Sequence, residues 1–171
     1  MMVGYKWRQL QLVKIRIRRA KPEDLKDVAS IVLDSFVTEI HDNIKELEDS
    51  NKTNYKKFCD FYYKRANARI PFVIYLAELN EEIIGAAAGS VSEHHWSDLR
   101  WGSEDFWFVK KEHRGSKAGL LLFNKLMDWF KDNKAKRIQM THYTWNPKIK
   151  DFYEKRGFKS FETCYVYKVG E

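Results

Sequence analysis

Apolar and basic residues alternate from Lys14 to Arg19 (Lys-Ile-Arg-Ile-Arg-Arg), which predicts a strand with Ile15 and Ile17 facing the core. Pro22 follows at a first helical position, with Glu23 and Asp24 suited to the positive helix end. Leu25, Val28, Ala29, Val32 and Phe36 then recur at helical spacing. Residues 37–54 are polar and read as a loop or an extension of that helix. Tyr55 to Ala68 predicts a second helix with an aromatic face of Tyr55, Phe58, Cys59, Phe61 and Tyr62. Phe72 to Glu78 is apolar and β-branched, and Ile83 to Val91 is rich in Gly and Ala; both predict strands, joined by a turn at 79–82. The small residues of the second strand would let a neighbouring element pack close to the sheet.

Ser92 to Ser103 reads as a loop carrying His94, His95 and Trp96, and Asp105 to Lys110 as a fourth strand. The clearest helix runs from Gly119 to Asn133, with Leu122, Phe123, Leu126, Met127, Trp129 and Phe130 on its buried side. Arg137 to His142 predicts a fifth strand and Pro147 to Arg156 a short helix, stopped by Gly157. Phe158 to Val169 reads as a last strand or a broken pair. The order β-α-α-β-β-β-α-β-α-β describes an α+β fold: a mixed β-sheet with helices on both faces. Residues 1–13 form an N-terminal extension of unclear structure, and 14–171 a single domain, with no repeat or linker.

Composition narrows the function classes. A chain of 171 residues with 44% hydrophobic and 32% charged positions supports a full core and excludes disorder as its dominant state. Two cysteines, Cys59 and Cys164, exclude a disulfide scaffold and a multi-cysteine zinc site, and suit a reducing compartment. No run of about 18 apolar residues marks a membrane span, and the N-terminus lacks the apolar stretch of a secretory signal, so a cytoplasmic address is expected. The net charge of +7 and pI near 9.3 would suit an anionic partner. The basic residues are interleaved with acidic ones, however, and a solvated surface accounts for them. No helix-turn-helix, zinc-finger or RNA-recognition signature points to nucleic acid.

Chemistry concentrates at two places. The first is Phe106 to Leu121, where a strand enters a short loop with Gly115 and Gly119 and then a helix. Backbone N–H groups at a helix N-terminus, with Arg114 and Lys117 beside them, make a phosphate site, although an ordinary strand-to-helix turn has the same spacing. The second is Asn146 to Phe158, where Tyr153 lies four residues before Gly157.

Together the two segments resemble the GNAT superfamily of N-acetyltransferases. The family loop is Gln/Arg-x-x-Gly-x-Gly/Ala; Arg114 fills its first position and Gly119 its last, while Lys117 stands where glycine is usual. The second family segment, Asn-x-x-Ala-x-x-x-Tyr-x-x-x-Gly-Phe, matches at Asn146, Tyr153, Gly157 and Phe158, with Ile149 in place of the small residue. The resemblance covers Lys14 to Val169. It implies acetyl-CoA as cosubstrate and a primary amine as acceptor, from a small molecule or a peptide; no metal is expected, since the His residues show no helical i, i+4 pair or Cys partners. It equally admits a non-catalytic acyl-CoA-binding module on the same fold, and leaves room for a homodimer.

The resemblance also implies roles. Arg114, Gly115, Ser116, Lys117, Ala118, Gly119 and Leu120 would hold the cofactor's phosphates. A backbone N–H at Phe108 or Val109 would face the thioester oxygen, Asn146 would bond the pantetheine arm, and Tyr153 would protonate the leaving thiolate. The fourth strand would splay from the fifth to open a slot for that arm. Glu104 is the first candidate for the base, ahead of Asp105, His94, His95 and His142; strand alternation lets only one of Glu104 and Asp105 face the acceptor. Cys59 reads as core rather than nucleophile. Six acidic residues between Asp34 and Asp49 (Asp34, Glu39, Asp42, Glu46, Glu48, Asp49) are offset only by Lys45. They would form one wall of the acceptor pocket and favour a cationic acceptor. His94, His95, Trp96 and Trp101 would line the other wall.

Overall fold

A computed structural model describes residues 14–43 and 54–167. The extension over 1–13 and the acidic residues Glu46, Glu48 and Asp49 lie outside the described residues. Strand β1 (Arg16–Arg19) is followed by a 3-10 turn (Pro22–Asp24), then helices α1 (Leu25–Asn43) and α2 (Tyr55–Ala66). A meander of β2 (Phe72–Leu79), β3 (Glu82–His94) and β4 (Ser97–Val109) leads into α3 (Ala118–Asp132), β5 (Arg137–Gln139) and α4 (Pro147–Glu154). The sheet order is β1-β2-β3-β4-β5, antiparallel except for the parallel β4–β5 pair.

Alternation along the central strands builds two cores. Ile74 and Leu76 of β2 and Ala86 and Ala88 of β3 face α1 and α2, where Val28, Ile31 and Tyr62 cover them. Val73, Tyr75 and Ala77, with Ile84 and Ala87, face α3 and its Leu122, Leu126, Trp129 and Phe130. Leu76, Ile84, Leu122, Leu126 and Phe130 are fully buried. Burial of each such side chain contributes about 1.5–3 kcal/mol. The close approach expected at the glycine-rich strand is made by α3: a Cβ on Gly89 would lie 2.6 Å from Phe130 Cζ, and one on Gly102 2.5 Å from Phe130 Cδ1. Cys59 packs against the first core, as expected. At the sheet's far edge Arg18 binds Asp24 (2.6 and 2.8 Å) and Glu78 (2.6 Å), fixing β1 to the start of α1.

Three expectations are corrected, and one open alternative, the extension of the first helix, is decided. Residues 92–103 are not a loop: β3 continues to His94 and β4 begins at Ser97, with His94 opposite Ser97 across a two-residue turn. This hairpin projects past the core, so its exposed positions carry no apolar alternation to read. Residues 37–43 continue α1. Strand β5 ends at Gln139 rather than His142, because the chain leaves β4 after the Ser103–Gln139 pair. The last strand is absent over the described part of its range, residues 158–167, which pair with no neighbour there. Tyr165, Val166 and Tyr167 are exposed, so the apolar pattern of that segment has no covering element within the described chain.

Candidate active site

The end of β4 is the centre of the site. Pairing with β5 covers only Trp101–Ser103 against Arg137–Gln139, whereas β4 runs on to Val109. The two strands therefore part after Ser103 and leave a wedge open along β4. On its other side β4 stays laddered to β3, and Lys110 N–H donates to Ile84 C=O at 2.9 Å. Bonding direction alternates along an antiparallel strand, so Phe108 N–H points to β3 and Val109 N–H points into the wedge. The Val109 carbonyl, which shares that direction, accepts from Arg114 Nε at 3.1 Å.

A bulge sits where β4 leaves β5. Phe106 lies opposite Ala88 and Glu104 opposite Gly89, so Asp105 is the extra residue. It breaks the alternation on which the choice between the two carboxylates rested and sends them to different partners. Asp105 meets Arg65 of α2 (3.2 and 3.3 Å), whose guanidinium also donates to Ser90 Oγ at 2.7 Å. Burial pushes the Asp105 carboxyl up and Arg65 pulls it down. Glu104 instead accepts the Thr141 N–H at 3.0 Å, just past the end of β5. Loss of water around it pushes the Glu104 carboxyl up to about 7; the Thr141 N–H opposes the shift and Asp105 adds to it.

Tyr153 arrives at the same residue, Thr141, from α4. Its hydroxyl donates to the Thr141 carbonyl at 3.2 Å, and its ring is buried beside Trp107, Phe123 and Phe158. Burial, and secondarily the Glu104 charge, push its pKa well above the usual 10. Thr141 thus holds Glu104 on its N–H and Tyr153 on its C=O, at the mouth of the wedge.

The loop after β4 turns through a 3-10 segment (Lys111–His113) to Gly115, whose φ of +88° only glycine adopts without strain. No atom lies within 4 Å of a Cβ built there, so the backbone angle alone demands the glycine. Ser116 Oγ accepts from Ala118 N–H at 3.2 Å. Gly119 and Leu120 fall in the first turn of α3, where N–H groups have no intrahelical acceptor. Lys117 takes ordinary right-handed backbone (φ −72°, ψ −7°), so the glycine usual there is not required by conformation. A Cβ on Gly119 would make only ordinary contacts, the nearest 3.6 Å from Trp107.

Asn146 caps α4 without a side-chain bond to the helix, and its side chain is left for other partners. It lines a groove of about 500 Å³ with Trp145, Arg114, Lys110 and the α1 residues Asp34, Thr38, Glu39 and Asp42. Tyr143 stacks on Trp145 (4.6 Å, 6°) and is pushed up to about 12 by burial, with Glu39 and Glu104 adding to the shift.

The sequence profile of the acetyltransferase (GNAT) family matches residues 35–158. The chain belongs to that family. Its fold is also that of solved structures. An acetyltransferase from Trypanosoma brucei is 16% identical, with 91% of this chain and all of that one covered and a TM-score of 0.65. A ribosomal-protein-alanine N-acetyltransferase from Brucella melitensis is 15% identical, covering 92% and 100%, at 0.67. An aminoglycoside acetyltransferase from an uncultured soil metagenomic sample, solved with sisomicin, is 13% identical, covering 91% and 97%, at 0.64. At these identities the likeness is one of fold. No match was found among curated proteins.

The structure brings together Glu104, Tyr153 and Val109 on the wedge and Arg114 and Asn146 on the groove. It does not bring in the hairpin residues. His94, His95, Trp96 and Trp101 cluster with Phe161 at and near the tip of the β3–β4 hairpin and do not line the groove. His142 is exposed. Sequence reasoning missed Thr141, whose contribution is its backbone and leaves no residue-type signal, and the Tyr143–Trp145 stack. The aromatic pair two residues apart after a strand was the signal available for the latter. Among the described residues no group of three His, Cys, Asp or Glu side chains converges as metal ligands would, and no helix is long and apolar enough to cross a membrane.

Proposed function

We propose that the protein is an N-acetyltransferase that transfers the acetyl group of acetyl-CoA to a primary amine by direct attack in a ternary complex. The observation that carries this reading is the backbone of one residue, Thr141, holding Glu104 on its N–H and Tyr153 on its C=O at the opening between β4 and β5. Bound acetyl-CoA supplies the acetyl group as a thioester. The wedge, the Gly115 turn and the first turn of α3 fit its extended arm and its phosphates, with Arg114, Ser116, Lys117, Ala118, Gly119 and Leu120 around the latter. Asn146 is free to bond the arm.

The chain's own groups divide the proton work. Glu104, with a pKa near 7, takes a proton from the acceptor ammonium and leaves a neutral amine. Val109 N–H donates to the carbonyl oxygen as charge grows on it. Tyr153, protonated at neutral pH, gives its proton to the departing thiolate. The C–N bond forms first and the C–S bond then breaks, and the second proton that the new amide nitrogen sheds restores the Tyr153 hydroxyl.

The acceptor we assign is cationic. Asp34 and Asp42 stand exposed on the α1 wall of the groove, and exposed charges of one sign attract an ammonium over roughly 8 Å at physiological ionic strength. Thiol release measured with cationic, neutral and acidic amines at matched concentration tests this. A lower KM for cationic amines is expected, weakening with salt and rising toward the others in the Asp34→Asn, Asp42→Asn variant. Preference for acidic amines, or an unchanged KM in that variant, would overturn the assignment.

A further inference from the structure

Arg114 is already occupied. Its Nη2 lies 2.7 Å from Glu39 Oε1, across the groove on α1, while its Nε donates to the Val109 carbonyl at 3.1 Å. Glu39 is the less exposed partner, with 18% of its side chain accessible against 44% for Arg114. One guanidinium therefore ties three parts of the site: the loop at the helix N-terminus, the β4 residue whose N–H faces the wedge, and the acidic wall. A carboxylate on a guanidinium presents the same two-oxygen, negatively charged edge as a phosphate. Glu39 thus supplies Arg114 with an anionic partner from within the chain.

We propose that Glu39 is a built-in competitor for the cofactor's phosphates: it holds Arg114 in the free protein and surrenders it when the cofactor binds, freeing its carboxylate into the groove. This rests on the acetyl-CoA reading above. The exchange has two consequences. Cofactor affinity is set below what the loop alone would give, because each binding event breaks the Glu39–Arg114 pair. The acidic wall also gains a free carboxylate only once the cofactor is in place, so it is then that the groove attracts a cation most strongly. The Nε–Val109 bond can survive the exchange, since a different edge of the guanidinium makes it, and the wedge-facing N–H stays aligned.

The sign of the effect separates this role from a structural one. A residue that merely braces the loop weakens cofactor binding when removed, whereas a competitor strengthens it. Calorimetric titration with CoA, which carries the phosphates but no acetyl group, should show Glu39→Gln binding about two- to fivefold more tightly than the wild type, the range a partly exposed ion pair commands. In an Arg114→Gln background the Glu39→Gln change should have no further effect, since the two residues act as one unit. A crystal structure with CoA should show Arg114 Nη2 on a phosphate oxygen and Glu39 detached from it. Equal or weaker CoA binding by Glu39→Gln, or an intact Glu39–Arg114 pair in the complex, would overturn the proposal. If CoA binds neither the wild type nor Glu39→Gln, the acetyl-CoA reading fails with it, an outcome distinct from equal affinities.

Discussion

Tyr153 meets the conditions for a proton donor through its surroundings rather than its residue type. Its phenolate would be buried and close to the Glu104 charge, so the hydroxyl keeps its proton at neutral pH. Tyr153→Phe is expected to lower kcat by about 10²–10⁴-fold while leaving CoA affinity unchanged, which steady-state rates and a CoA titration would check. Glu104 is the converse case. Its pKa near 7 places the ionised form above neutrality, so kcat/KM should rise with pH through about 7 and then level. Glu104→Gln should lower the rate and remove that limb. A stability signature accompanies it. Between the ordinary 4.5 and about 7 the folded protein holds a proton the unfolded chain has lost, so this group's contribution falls as pH rises through that window. Glu104→Gln should therefore raise Tm relative to the wild type more at pH 8 than at pH 5. Both side chains were legible from sequence as candidates. That they share the backbone of Thr141 was not, because a bulge at Asp105 decides where each carboxylate goes, and no residue-type pattern marked it.

At the scale of elements, α3 shows how periodicity becomes geometry. The stripe Leu122, Phe123, Leu126, Trp129 and Phe130 was readable from spacing alone, and it is the buried face. Its resting place was half readable. The glycine-rich β3 signalled a close approach, but Gly102 belongs to a stretch without apolar alternation, and its role appears only when Phe130 lies over it. Gly102→Ala would put a methyl 2.5 Å from the Phe130 ring and is expected to cost about 1–3 kcal/mol in urea unfolding. Combining it with Phe130→Leu should recover part of that loss, whereas additive losses would contradict this packing. The extended hairpin and the missing last strand mark the limit of such reading. Periodicity reports a covered face. The hairpin has little of one beyond the core, and Tyr165, Val166 and Tyr167 stand exposed with no described element over them.

At the scale of the whole molecule, the net charge of +7 proved a poor guide to the site. The groove beside the cofactor loop mixes an acidic α1 wall with Lys110, Lys111 and Arg114, and an average over the surface hides that local contrast. The proposed reaction requires that the wedge between β4 and β5 and the turn at Gly115 bind acetyl-CoA. Thermal unfolding with and without the ligand tests it most directly, because a ligand that binds only the folded state stabilises it by mass action. At a hundredfold excess over Kd the gain is about 2.7 kcal/mol, or a rise in Tm of about 5–10 °C for a chain of this length. Gly115→Val, which forces a β-branched residue into positive φ at the turn, should abolish the rise. An unchanged Tm for the wild-type protein at saturating acetyl-CoA would contradict binding at this site.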